Sequence, residues 1–167
     1  TWTITMATRD YYIGIDNGVS GSIGIFGPTI DDRRFYLTPV KSVRTYTKEE
    51  KHIHRVDVVK LRELFKGLPA DSLVLLERPM VNPQRFVASM SAIRALEATL
   101  IVIEEFDFYL RYLDSREWQS VLLPGIEGSD ELKAASLKLG KELWPTAKFK
   151  KDADSLLMAK WAFDKQL

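Results

Sequence analysis

Three acidic residues lie at the ends of apolar segments that are far apart in the sequence. Asp16 and Glu77 each end a short apolar run, and Asp154 lies at the start of an apolar helix pattern. A carboxylate at the end of a buried segment is costly to desolvate unless another group pairs with its charge. Several carboxylates in one cleft repel each other, and a divalent cation is the usual compensating charge. The pattern therefore predicts a fold that brings the three side chains together, and it favours metal-dependent phosphodiester chemistry.

The composition is typical of a soluble domain. The 167 residues are 46% hydrophobic and 28% charged, which predicts one domain over residues 1–167 with a core of its own. Residues 1–5 precede the first methionine and are interpreted as an appended or processed end. The absence of cysteine excludes disulfides and thiolate metal sites.

Hydropathy and composition also bear on location. The apolar stretch around residues 100–103 is far too short to cross a bilayer, so no membrane partner is expected. We expect a cytoplasmic protein of a bacterial or phage-infected cell. An organellar location, such as the mitochondrion, stays open.

Basic residues are concentrated in two segments, although the net charge is only +1. Residues 133–151 hold six lysines against one glutamate, and residues 41–66 hold eight basic residues against four acidic ones. Such segments can bind a phosphate backbone. They are equally typical of solvated helix faces, so charge alone does not decide between the two.

The hydrophobic pattern predicts an α/β fold with a mixed five-stranded sheet flanked by helices. Three antiparallel strands come first, because Asn17-Gly18 predicts a hairpin, and parallel strands follow. The predicted strands are 12–15, 22–26, 35–40, 73–76 and 108–113, with a charged loop at 47–55. The predicted helices are 58–67, capped by Asp57, then 86–106, 115–122, 129–143 and one from about 152 to the end.

Five short motifs follow one another along nearly the whole chain. They are residues 13–18 with Gly21, 75–79, 118–119 with Leu122, Leu123 and Gly125, 133–136, and 153–159. In this order and spacing they resemble the RuvC-type Holliday-junction resolvases of the RNase H-like nuclease superfamily, in their phage or organellar branch.

The resemblance implies a structure-selective DNA endonuclease that acts in DNA recombination and repair. It implies a homodimer that resolves four-way junctions, a form of branched DNA, by paired nicks. Mg²⁺, with Mn²⁺ as a substitute, is the implied cofactor, with two ions about 4 Å apart in each active site. Asp16, Glu77 and Asp154 are the implied ligands, and their oxygens suit these hard cations.

The fourth ligand is the point where the chain departs from the family. The resemblance predicts an acidic residue or a histidine three positions before Asp154, and Lys151 occupies that position. Asp152 is the alternative ligand if it precedes the helix in extended geometry, because residues two apart on a helix diverge by about 200°. Asp152 is otherwise an ordinary helix cap. Lys151 either orients the attacking water or a phosphate, or is a surface lysine.

Residues 78–86 form a candidate DNA contact just after Glu77. Two readings are open: apolar groups wedge against bases while arginines bind phosphates, or the segment is a rigid connector with Phe86 packed under the next helix. The candidate contacts here are Arg78, Met80, Gln84, Arg85 and Phe86, and the basic candidates elsewhere are Lys133, Lys148, Lys150 and Lys151.

Helix 86–106 and the tryptophans are expected to supply packing surfaces. The apolar stripe of the helix is wider than one sheet-facing side needs, so it serves either the core alone or a dimer interface as well. Trp118, Trp144 and Trp161 are expected in the core. His52 and His54 lie in the charged loop and receive no role.

Three other functions compete with junction resolution. Asp16-Asn17-Gly18 with Gly21 also suits the first phosphate loop of actin-like sugar kinases and ATPases, but these need two such domains and a second loop. A non-catalytic nucleic-acid-binding protein of the same fold is suggested by Lys151. A related nuclease acting on flaps or RNA–DNA hybrids is the remaining alternative.

Overall fold

The computed structural model describes residues 9–167, and the segment 1–5 interpreted above as an appended or processed end lies outside the described residues. The strands are β1 Tyr12–Asp16, β2 Ser22–Phe26, β3 Arg33–Leu37, β4 Val40–Arg44, β5 His52–Val56, β6 Leu73–Glu77 and β7 Tyr109–Leu113. The helices are α1 Val58–Phe65, α2 Phe86–Phe106, α3 Ser115–Leu122, α4 Ser129–Leu143 and α5 Asp154–Lys165.

The main sheet has five strands in the order β3-β2-β1-β6-β7. Strands β1, β2 and β3 pair antiparallel, whereas β1, β6 and β7 run parallel. The predicted α/β class and mixed five-stranded sheet are therefore confirmed. Because β1 and β6 are parallel neighbours with Ile15 opposite Leu76, their carboxyl ends bring Asp16 and Glu77 to the same edge of the sheet.

A second, two-stranded sheet corrects the predicted loop at 47–55 and the predicted strand over 35–40. Strand β3 ends at Leu37, and β4 then pairs antiparallel with β5, placing Val40 opposite Val56 and Val43 opposite Ile53. Charged and polar residues occupy the positions between and beyond these apolar pairs. The two members of each pair are also far apart in the sequence. The charged composition of 47–55 therefore concealed the strand.

The predicted helix starts agree with the observed ones except at α5. Asp57 caps α1 as predicted, and its side chain accepts the Lys60 backbone N–H. Helix α3 is capped by Asp114, because Asp114 and Glu117 form a reciprocal capping box. Helix α4 has Gly128 at its N-cap, and α5 begins at Asp154 rather than near residue 152.

Two hydrophobic cores cover the two faces of the main sheet. Helices α3, α4 and α5 cover one face, and α1 and α2 cover the other. Strand β6 is buried on both faces, with Leu73 and Leu75 in the first core and Val74 and Leu76 in the second. The prediction that Trp118, Trp144 and Trp161 belong to the core is confirmed, since all three are buried.

Helix α2 is apolar on its outer as well as its inner side. Its inner side packs on the sheet through buried residues, whereas several large apolar side chains face outward. Among the described helices it alone is long and apolar enough to cross a membrane, judged by length and composition. The outward-facing apolar residues of α2 are Phe86, Val87, Met90, Ile93 and Ile101.

Two glycines allow α5 to lie directly on the backbone of β1 and β2. Gly14 and Gly24 are opposite one another in the antiparallel pair. A β-carbon at Gly14 would overlap the Ser155 carbonyl, and one at Gly24 would overlap the backbone of Leu156. The missing side chains therefore set how closely the first turn of α5, including Asp154, approaches the end of β1.

Replacing Gly24 with alanine is expected to push α5 away from the sheet. The added methyl group meets helix backbone rather than a mobile side chain, so the variant should lose about 1–3 kcal/mol of unfolding free energy or more. Urea unfolding measures this loss. A midpoint equal to that of the unmodified protein would show that α5 can shift without cost.

Candidate metal centre

The candidate centre lies where two parallel strands end and one helix begins. Asp16 is the last residue of β1, Glu77 is the last of β6, and Asp154 is the first of α5. All three side chains are partly buried. The fold thus brings the three sequence-predicted carboxylates to one region, as their positions at the ends of buried elements predict.

Three aspartates form the tightest acidic group in the described part of the chain. One carboxylate oxygen each from Asp16, Asp152 and Asp154 lies within 4.8 Å of the others. Asp152 joins this aspartate trio because α5 begins only at Asp154, so Asp152 precedes the helix and the divergence of side chains on a helix does not apply. Its Oδ1 also accepts the Asp154 backbone N–H at 3.0 Å. The N-cap of α5 is Ala153, so Asp152 is not the ordinary cap but precedes it as a member of the acidic cluster.

Glu77 lies close to the aspartate trio but is not part of it. Ser115 Oγ, at the start of α3, donates a hydrogen bond of 2.9 Å to Glu77 Oε1. The Glu77 charge still acts on Asp16 and Asp154, since it raises the pKa of both. Glu77 is thus held by α3 at the margin of the acidic group.

A buried serine on α4 orients Asp154. Ser136 Oγ donates to Asp154 Oδ1 over 2.5 Å and accepts the Ala153 backbone N–H at 3.0 Å. The sequence placed Ser136 in the motif 133–136 without a role. Ser136 lies three residues after Lys133, so both are on one face of α4. This spacing is the signal that could have indicated a role for Ser136 at the centre.

The carboxyl groups of the centre are hard to ionise together. Burial, and then the charges of Glu77, Asp154 and Asp152, raise the pKa of Asp16 to about 8, and Lys133 opposes this. Burial and the Asp152 charge raise the pKa of Asp154 to about 7, against the hydrogen bond from Ser136. Burial likewise raises the pKa of Glu77.

The donor set fits a hard divalent cation. Every candidate ligand is a carboxylate oxygen, which suits Mg²⁺ or Mn²⁺ better than a metal that prefers nitrogen or sulfur. A cation would also supply the positive charge that partly buried, mutually repelling carboxylates require. The residues present therefore fit the metal that the resemblance implies.

The basic candidates lie at different distances from the trio. Lys133 is near enough for its charge to lower the pKa of Asp16 and Asp154. Lys150 and Lys151 line a cleft together with Asp16 and Asp152, whereas Lys148 lines a separate groove. Within residues 9–167, these four exposed lysines form no ion pair, so their charges remain available to a ligand.

The segment 78–86 is exposed rather than packed. Met80 is 89% exposed and Phe86, the first residue of α2, is 68% exposed. The expected packing of Phe86 under the next helix is therefore wrong, although Ser89 on α2 holds the segment through hydrogen bonds to the Asn82 backbone. Gln84 and Arg85 are also exposed.

Arg78 has partners of its own within the fold. Its guanidinium lies 3.1 Å from Asp114, in an exposed ion pair. Its backbone N–H donates to the Leu113 carbonyl. Arg78 thus links the ends of β6 and β7 and would have to exchange Asp114 for a phosphate in order to bind DNA.

The metal-free protein is expected to lose stability as the pH rises from about 4 to about 8. The pKa of Asp16 rises on folding from 3.8 to about 8. The unfolded chain therefore releases this proton first, and stability is fullest below the unfolded pKa and declines through the folded one. Asp16→Asn should remove part of this decline and raise the unfolding temperature of the metal-free protein at pH 8 by about 3 °C or more.

Thermal unfolding at pH 5 and pH 8, with and without Mg²⁺, measures both effects. Mg²⁺ should stabilise the unmodified protein more at pH 8, because the ligands must be deprotonated to bind it. Asp164→Asn is the matched control, since it removes the same charge from the far end of α5, where Asp164 pairs with Lys160. Equal Mg²⁺ stabilisation of the unmodified and Asp16→Asn proteins would exclude Asp16 as a ligand.

Comparison with known proteins places this arrangement in a known fold. No family model matches the sequence, and no curated protein matches it either. Among solved structures, RuvC of Thermus thermophilus aligns with a TM-score of 0.57 and 16% identity over 93% of this chain and 95% of the other. The T. thermophilus RuvC in complex with a Holliday junction substrate gives a TM-score of 0.58 and 14% identity over 93% and 94%.

A third similar structure is that of a mitochondrial protein. The yeast mitochondrial Holliday junction resolvase Ydc2 aligns with a TM-score of 0.54 and 17% identity over 98% of this chain and 81% of the other. Identities this low establish the fold and not the activity. The chain therefore has the RNase H-like fold of the RuvC-type resolvases over nearly its whole length.

Proposed function

We propose that this protein is a metal-dependent, structure-selective DNA endonuclease that resolves four-way junctions by paired nicks during recombination and repair. The observation that carries the proposal is the aspartate trio, with Glu77 beside it, at the carboxyl edge of a RuvC-type sheet. The likeness to a RuvC structure that contains a junction substrate supports four-way DNA as the partner.

The carboxylates are proposed to hold the metal. Asp16, Asp152, Asp154 and Glu77 would ligate two divalent cations, Mg²⁺ or in its place Mn²⁺. Bound there, the cations supply an activated water and stabilisation of the leaving oxygen. Ser136 keeps Asp154 turned towards Asp16, and Ser115 keeps Glu77 at the margin. These hydroxyls fix the directions of the carboxylate oxygens before a metal arrives.

The lysines near the centre are proposed to position the DNA. Lys151 is exposed and lines the cleft beside Asp16 and Asp152, where its ammonium can contact the phosphate to be cut or orient the attacking water. Lys133 and Lys150 extend this positive charge, and Lys148 adds to it in a neighbouring groove. Lys151 occupies the position where the resemblance predicts an acidic residue, and Asp152 is proposed to supply that carboxylate instead. This weakens the case for a non-catalytic binding protein.

The segment 78–86 is proposed to contact the branch point. Its exposed apolar side chains, Met80 and Phe86, can insert between unstacked bases. Arg78, Gln84 and Arg85 are proposed to contact phosphates next to them.

We further propose that the protein acts as a homodimer. Paired nicks in a junction require two active sites related by a two-fold axis. The outward apolar side chains of α2, which include Met90, Ile93 and Ile101, form a candidate interface. The absence of cysteine suits the reducing cytoplasm, and a mitochondrial location is open because Ydc2 carries the same fold there.

Removing a ligand is expected to separate cutting from binding. Asp16→Asn and Glu77→Gln should each lower single-turnover cleavage of a synthetic four-way junction by more than about 100-fold, since even partners of metal ligands contribute 10–100-fold. Junction binding should persist or strengthen because negative charge near the phosphates is lost. Asp164→Asn is the control with normal cleavage, and near-normal cleavage by either site variant would remove that residue from the centre.

The substrate assignment is tested with linear duplex, flap and RNA–DNA hybrid alongside the junction. Metal-dependent paired nicks in the junction alone are the expected result. Faster cutting of a flap or hybrid would retain the nuclease and overturn the substrate. Binding without any cut, at every metal concentration, would leave a non-catalytic binding protein.

The dimer is expected to depend on the outer face of α2. Ile93→Glu with Ile101→Glu places two charges on that face and should shift the protein from dimer to monomer in sedimentation at micromolar concentration. Val121→Glu is the matched control, since Val121 is an exposed residue of α3 on the opposite face of the sheet. A monomeric unmodified protein that makes paired nicks would contradict the dimer.

A further inference from the structure

The β4–β5 hairpin lies between two depressions in the protein surface. One is the cleft beside the aspartate trio, which His54 lines together with Lys150 and Lys151. The other is a groove of about 370 Å³ that the hairpin forms with α1 and α2. Val19 and His54 line both depressions, so the groove begins where the cleft beside the candidate metal centre ends.

Positive charge exceeds negative charge along this groove. The arginines and the acidic residue that line it are Arg55 on β5, Arg62 on α1, and Arg94 and Glu97 on α2. The Arg62 guanidinium already donates two hydrogen bonds to the Glu105 carboxylate, at 2.6 and 2.9 Å. Within residues 9–167, Arg55 and Arg94 form no ion pair. Two guanidinium groups therefore remain against the single carboxylate of Glu97.

The hairpin also places two like charges opposite one another. Lys41 on β4 is the antiparallel partner of Arg55 on β5, and both residues are exposed. Side chains of directly opposite residues lie on the same face of a sheet, and like charges there repel each other. In the described part of the chain Lys41, like Arg55, has no acidic partner. An anion that contacts both side chains would therefore remove a repulsion that the free protein carries.

Contacts within the fold hold the hairpin against α2. Arg94 Nη1 donates a hydrogen bond of 3.3 Å to the hydroxyl of Tyr46, which lies in the loop between β4 and β5. Strand β5 itself contacts α2, and Val56 and Ala95 belong to the same hydrophobic core. The fold thus places Arg55 and Arg94 around one groove before any ligand binds.

This lining fits a phosphate backbone better than a base. A guanidinium group donates paired hydrogen bonds to phosphate oxygens, and an ammonium group binds phosphate as a point charge. In the described part of the chain, no phenylalanine, tyrosine or tryptophan lines the groove, so it offers no such ring for a base to stack on. Because the groove joins the cleft beside the candidate metal centre, one DNA backbone can pass through both.

We propose that the β4–β5 hairpin and the facing side of α2 form a second DNA-backbone site, in which Lys41, Arg55 and Arg94 bind phosphates of one junction arm away from the cut. The inference rests on the proposed nuclease function and deepens it. It assigns to two strands that the sequence did not predict a contribution to affinity that is independent of base sequence.

The first test measures junction binding by fluorescence anisotropy over a range of salt concentrations. The double variant Lys41→Gln with Arg55→Gln should raise the Kd about 10-fold or more at about 0.1 M salt, because two phosphate contacts are lost. The slope of log Kd against log salt concentration should fall by about 1–2. Lys138→Gln with Lys141→Gln is the matched control with an unchanged Kd and slope, since it removes the same charge from exposed positions of α4 on the opposite face of the sheet.

A set of junctions with single neutral methylphosphonate linkages locates the contact on the DNA. A neutral linkage at a bound arm phosphate should weaken binding by the unmodified protein about 5-fold or more. The same linkage should barely change binding by the Lys41→Gln, Arg55→Gln variant, because the charges that contact this phosphate are already absent. Equal losses for the two proteins at every linkage would place the arm phosphates elsewhere and contradict the proposal.

Thermal unfolding separates a contact to DNA from a structural role of the hairpin charges. Because Lys41 and Arg55 repel each other, Arg55→Gln should raise the unfolding temperature of the free protein by about 1–3 °C at low salt. The difference should shrink at high salt, where exposed charges are screened. A lower unfolding temperature for Arg55→Gln would show that this charge stabilises the free protein, and would overturn the proposal.

The outcomes separate this inference from the function on which it rests. A protein that binds no junction overturns both. A protein that binds junctions without cutting them, and whose hairpin variant binds more weakly with a smaller salt slope, overturns the nuclease function and supports the second site. A protein that cuts junctions, and whose hairpin variant keeps the original Kd and salt slope, overturns the second site alone.

Discussion

The contact on which the centre depends is the close approach of α5 to the backbone of β1 and β2. Gly14 and Gly24 lie opposite one another, and because neither has a side chain, the first turn of the helix can pack directly on the strand backbone. Asp154 begins that turn and Asp152 precedes it, so both carboxylates reach Asp16 at the end of β1. Two positions without a β-carbon thus decide whether residues far apart in sequence form one acidic group.

The close approach of these carboxylates also makes it costly to ionise them together. Carboxylates that are partly buried together resist ionisation, as the raised pKa values of Asp16 and Asp154 show. Ser136, Ser115 and Lys133 offset part of this cost through hydrogen bonds and charge. A cation bound as proposed above would offset the remainder, because it supplies positive charge next to the carboxylates.

The surface that is proposed to contact DNA combines predicted and unpredicted parts. The lysines before α5 and the exposed segment 78–86 were predicted, and their exposure agrees with contact to DNA. The β4–β5 hairpin was predicted as a loop because its charged residues outnumber the few apolar ones that pair across it. Together with β3, this hairpin contributes residues to the cleft beside the aspartate trio.

The sequence by itself determined the mixed antiparallel and parallel strands, the burial of β6 and the tryptophans, and the carboxylates at the ends of the buried elements. These features follow from apolar periodicity and from the cost of leaving a charge at the end of a buried strand, both of which are local. Only the tertiary structure decided that Asp152 joins Asp16 and Asp154 while Glu77 is held aside by Ser115. Such outcomes depend on distances of a few ångströms between separate elements, and those distances are set by packing between residues far apart in the chain.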